Sequence, residues 1–91
     1  MQTSSKPESL NDLLRQLEEA DAVLADGFDD ALIGIAHRAS KPSVAIYERA
    51  KCLTILMEQD GMSYERAVEF FEFNVVGAWA GPGTPVFADL L

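Results

Sequence analysis

The chain has 91 residues, 48% apolar and 24% charged. That is enough for one packed core and too little for two, since domains rarely divide below roughly 100 residues. Fifteen acidic against seven basic residues leave a net charge of −8, which argues against nonspecific attraction to nucleic acid or anionic lipid.

A single cysteine, Cys52, rules out an intramolecular disulfide and favours a reducing compartment. The opening MQTSSKPESL has no apolar run of the signal-peptide kind, and no stretch reaches the roughly 20 apolar residues of a membrane helix. A soluble cytoplasmic protein is expected, one domain over residues 1–91 with 1–7 flexible.

In chain order, Ser5-Lys6-Pro7-Glu8 has the spacing of a capping box. Leu10, Leu13, Leu14, Leu17 and Leu24 then follow helical spacing, so a first helix is expected over about 8–25 with Gly27 as its stop. Two β-leaning runs follow, at 31–36 and 43–47, and the polar HRASKP between them predicts an antiparallel hairpin. From Glu48 the pattern is helical again, with Ala50, Leu53, Ile55, Leu56 and Met57 on one face, until Asp60-Gly61. Ser63 is a good N-cap for a third helix from Tyr64 to about Val75, with Ala67, Val68, Phe71 and Val75 inward. Gly77 would cap it, GPGTP would turn the chain, and 84–88 would add a strand. The fold expected is α+β: an N-terminal helix and a small antiparallel sheet, hairpin plus C-terminal strand, packed on a two-helix hairpin.

Chemistry-bearing motifs are scarce. GPGTP lacks the lysine and hydroxyl of a phosphate loop. His37 and Cys52, one of each kind, cannot make a zinc site or an oriented nucleophilic pair. Cys52 reads as a small core filler among apolar neighbours. Asp26-Gly-Phe-Asp29-Asp30 is out of register for a calcium loop. LMEQDGMSYERAVEFF has the outline of a helix-turn-helix, but Glu65, Glu69 and Glu72 on its second helix would repel phosphate. No catalytic residue, cofactor or metal is expected, and direct nucleic-acid binding is disfavoured.

Charge and aromatic content are more informative. Glu18, Glu19, Asp21, Asp26, Asp29 and Asp30 crowd one segment, whereas Arg38, Lys41, Arg49 and Lys51 supply four of the seven cations within fourteen positions. Phe70, Phe71 and Phe73 cannot all hide on one helix face with Val75, so Phe70 or Phe73 should cover a second surface. Trp79 is expected in or near the core, with an interface anchor as its other reading.

DGFDDALIGIAHR, VAIYERAKCLTILMEQDGMSYERAVEFFEFNVVGAW and GPGTPVF, together spanning about residues 26–87, resemble a family of small proteins of tailed bacteriophages and prophages that has no assigned activity. The resemblance implies expression inside a bacterial cell and transfers no catalytic residue. The expected function is therefore non-enzymatic: binding a host or phage protein and modulating or inhibiting it, with nucleic-acid mimicry by the acidic face as one form. The alternative is a structural or accessory phage protein that forms a homodimer. Candidate interaction residues are Glu18, Glu19, Asp21, Asp26, Asp29, Asp30, Phe70, Phe73 and Trp79.

Overall fold

The computed structural model describes residues 9–78 and 80–91. The capping box expected at Ser5–Glu8, the flexible 1–7 segment and the core position expected for Trp79 lie outside the described residues. The fold is α+β, as the alternation of helical and β-leaning segments predicts.

Helix α1 runs Leu10–Glu19 and is capped by Ser9, whose hydroxyl accepts from the Asp12 N–H at 3.2 Å. The helix is six residues shorter at its C-terminal end than its leucine spacing predicts. Asp21 adopts a left-handed φ of 57°, and the chain beyond it is not helical. Its backbone finds partners elsewhere: the Val23 N–H donates to the Gly83 carbonyl at 3.0 Å, and the Ala25 N–H to the Tyr47 hydroxyl at 2.9 Å. Leu24 and Ala22 still reach the core from this irregular path, so the periodicity was apolar demand rather than helix. Gly27, expected as the helix stop, serves a later turn with φ 89°.

A short 3₁₀ turn, Asp29–Ala31, leads into β1 (Leu32–Arg38), which pairs antiparallel with β2 (Lys41–Glu48). Two register irregularities bound a regular stretch in which Gly34 faces Ile46, Ile35 faces Ala45 and Ala36 faces Val44. Strand β2 passes directly into α2 (Arg49–Gln59). Cys52, Leu53 and Leu56 are its buried residues, while Ala50 and Met57, expected inward, are exposed. Gly61, with φ 69°, ends the helix as the sequence predicts, and the Met62 N–H reaches back to the Leu56 carbonyl.

Ser63 caps α3 (Tyr64–Phe70), its hydroxyl accepting from the Arg66 N–H at 3.1 Å. The expected single helix to Val75 instead loosens into a π-helical segment, Phe71–Val76. It closes with a hydrogen bond from the Gly77 N–H to the Glu72 carbonyl, five residues back. A side chain at Gly77 would meet the Phe73 carbonyl oxygen at 3.0 Å, so the end of this wider turn is tightly packed.

The turn at 81–84 is held by Thr84, whose hydroxyl donates to the Gly81 carbonyl and accepts from the Ala80 N–H, both at 2.7 Å. Strand β3 (Val86–Ala88) then joins the far side of β2, in the order β1-β2-β3. It runs parallel to β2, with Ile46 facing Val86 and Tyr47 facing Phe87. The sheet is therefore mixed and not antiparallel as expected. A parallel neighbour needs a long crossover, and the α2–α3 helical hairpin supplies it.

The core gathers on the sheet face that bears Tyr47. Leu17, Phe28, Ala31, Leu32, Ala45, Cys52, Leu53, Leu56, Ala67 and Phe71 join it there. Phe87 stacks on Tyr47 at 5.7 Å and meets Phe71 edge-on at 5.1 Å.

Candidate interaction surface

Two features lie outside that core, and they occupy different parts of the chain. The first is acidic. As α1 ends and the chain turns through 20–28, Glu18, Asp21, Asp26 and Asp29 come to line one open groove of about 650 Å³. Asn11, Leu14, Arg15, Ala22 and Leu24 complete its walls. Among the described residues that line it, Arg15 is the one basic side chain, and it is bonded to Asp12 at 3.4 Å. Glu19 does not line this groove, and Asp30 lines a separate cleft with Lys51 and Glu58. Four of the six acidic candidates thus converge. The convergence is tertiary, because Glu18 sits on a helix and Asp29 in a 3₁₀ turn.

The second feature is aromatic. Phe70 is half-buried against the core and Phe71 fully buried, whereas Phe73 is 78% exposed. The expected surplus of phenylalanine is real and resolves onto Phe73. Val76, in the same π-helical segment, and Tyr64, at the start of α3, are also exposed. Tyr64 and Val76 escaped the sequence reading, since nothing in their spacing separates them from inward positions.

Other candidates have structural roles. Cys52 is fully buried in the core. Burial, with the Glu48 carboxylate adding to it, pushes its thiol up from 9.0 to about 11, so it carries no reactive thiolate at neutral pH. His37 is exposed on β1, its Nδ1 within 2.9 Å of the Ser43 hydroxyl. Arg66, which a DNA-reading helix would aim outward, is bonded to Glu69 at 3.2 Å. Among the described residues, no group of three or more His, Cys, Asp or Glu is placed to hold a metal ion. Nor is any helix among them long and apolar enough to cross a membrane.

Arg38 is the residue whose role sequence reasoning missed. Its guanidinium donates to the Pro42 carbonyl at 2.7 Å and to the Pro82 carbonyl at 2.9 Å, tying the hairpin end to the turn before β3. Gly83, in that turn, lies so close to 21–23 that a side chain there would meet the Asp21 carbonyl oxygen at 3.2 Å. Comparison with family models, curated proteins and solved structures returns no match.

Proposed function

We propose that the protein is a non-enzymatic binding module that docks on a protein partner through the aromatic outer side of α3 and the π-helical segment, modulating that partner inside a bacterial cell. The bacteriophage resemblance supplies the setting. The observation that supports the reading is Phe73, a large apolar side chain left 78% exposed two positions from the fully buried Phe71. Exposed aromatics of this kind anchor interfaces, because they bury much area for little lost side-chain entropy. A π-helical turn is a further sign, since such turns cluster at functional positions despite their poorer hydrogen bonding.

The test is affinity capture from nuclease-treated bacterial lysate with wild-type and Phe73→Ala chains. One stoichiometric protein retained by wild type and lost by the variant, with the melting temperature unchanged, is the expected result. Retention by both would move the contact away from Phe73.

A second reading rests on the acidic groove. Four carboxylates in one concavity suit a cationic surface such as a nuclease's basic groove. Capture that survives Phe73→Ala and vanishes in high salt would favour this mimicry, because exposed charge pairs are screened within about 10 Å at ordinary ionic strength.

A further inference from the structure

The sheet has two edges, and the longer one is open. Among the described residues, β1 pairs only with β2, and no other backbone hydrogen bond involves Ile33, Gly34, Ile35 or Ala36. This stretch carries neither charge nor proline, the usual devices that keep an edge from pairing. Its side chains are half-buried, so an approaching strand meets apolar surface.

The charges sit at its ends and have opposite sign. Asp29 and Asp30, both exposed, immediately precede β1. Arg38 closes it, and Lys41 faces Arg38 across the hairpin. Among the described residues, Arg15, Arg49, Lys51 and Arg66 each have a carboxylate partner, while Arg38, Lys41, Asp29 and Asp30 have none. Arg38 is bonded only to neutral carbonyls, so its charge is not cancelled. On a chain of net charge −8, two unmatched cations at one end of this edge mark where a second acidic molecule meets attraction.

We propose that β1 pairs antiparallel with β1 of a second copy, about a two-fold axis near Gly34–Ile35, to make one continuous sheet across a homodimer. Two-fold symmetry makes the pairing self-complementary. Asp30 lies about five positions before that centre and Arg38 about four after it, with Lys41 facing Arg38 from β2, so the acidic end of each strand meets the basic end of the other. The two irregularities in the ladder limit the regular stretch to Gly34–Ala36. Few hydrogen bonds form, and the charged ends set partner and register. The contact does not use Phe73, and it shares only Asp29 with the acidic groove, so it stands apart from the aromatic docking proposed above.

The test is sedimentation velocity of the full chain from micromolar to millimolar concentration, with Asp30→Lys and Lys41→Asp beside wild type. Wild type should move from monomer to dimer as concentration rises. Each variant should weaken this by about tenfold or more, because like charges then face each other at both ends. An equimolar mixture should regain much of the wild-type association, since in the mixed dimer one end is unchanged and at the other the introduced lysine meets the introduced aspartate. A wild type that stays monomeric overturns the proposal. So does a dimer indifferent to both substitutions, or a mixture no tighter than its parts. If Asp30→Lys disturbs the 3₁₀ turn, seen as a lowered melting temperature, Asp29→Lys reads the same end.

Discussion

The two edges of this three-stranded sheet are built on different plans. β1 offers seven residues, secured by a hairpin and by Leu32 and Ile35 in or against the core. β3 offers three, flanked by Pro85, paired to β2 over its whole length and packed on the core through one ring, Phe87, between Tyr47 and Phe71. A short edge next to proline resists further pairing, whereas a longer edge without either device invites it. Local pairing therefore stabilises one edge and tertiary packing the other, which determines what should damage each.

The largest effect expected is at Phe71. Replacing it with alanine removes the ring that Phe87 meets edge-on and should cost about 3–5 kcal/mol, measured by urea unfolding. Amide exchange should quicken first at Val86–Ala88 and last in the hairpin; equal loss at both edges would erase the contrast drawn here.

Tyr47→Phe keeps the ring and removes the acceptor for the Ala25 N–H, at an expected cost of about 1–3 kcal/mol. The same hydroxyl bears on alkaline stability. Burial first, then nearby carboxylates, push Tyr47 above its ordinary value, although the hydrogen bond from Ala25 pulls the other way. Cys52 is raised to about 11. Both groups keep their protons longer when folded, so stability should be fully present below about pH 9 and fall as pH rises through about 11. Thermal melts across that window should show the decline, and Tyr47→Phe should shallow it.

The smallest effect is expected from Arg38→Met, which keeps much of the stem and loses the bonds to Pro42 and Pro82. A loss of about 0.5–1.5 kcal/mol should appear, with faster exchange at the Ala80 and Thr84 amides and none at Ile35.

Where local chemistry decides the structure, the sequence is readable. Ser63 and Gly61 bound their helices because capping is settled within a few residues. The β1–β2 hairpin is legible for the same reason. Leu24 misled because its demand for the core is met without helix, through bonds from Val23 and Ala25 to residues far along the chain. The direction of β3 was unreadable too, since three residues carry no mark of parallel or antiparallel pairing. Among the site residues, excess phenylalanine pointed to Phe70 or Phe73 but could not choose, because the choice depends on the wider π-helical turn. Convergence of Glu18 with Asp29 depends on the turn at 20–28, which no local pattern announces.

The parallel placement of β3 also bears on the order of assembly. Val86 meets Ile46 about forty positions earlier in the chain, whereas the β1–β2 pairing and the α2–α3 packing join near neighbours. Loop-closure entropy delays such distant contacts. The tail strand should then dock after the folding barrier has been crossed and depart before the rest unfolds. Truncating Phe87 to leucine should accordingly speed unfolding while leaving the refolding rate nearly unchanged, making this last-formed strand the clasp that sets the lifetime of the native state.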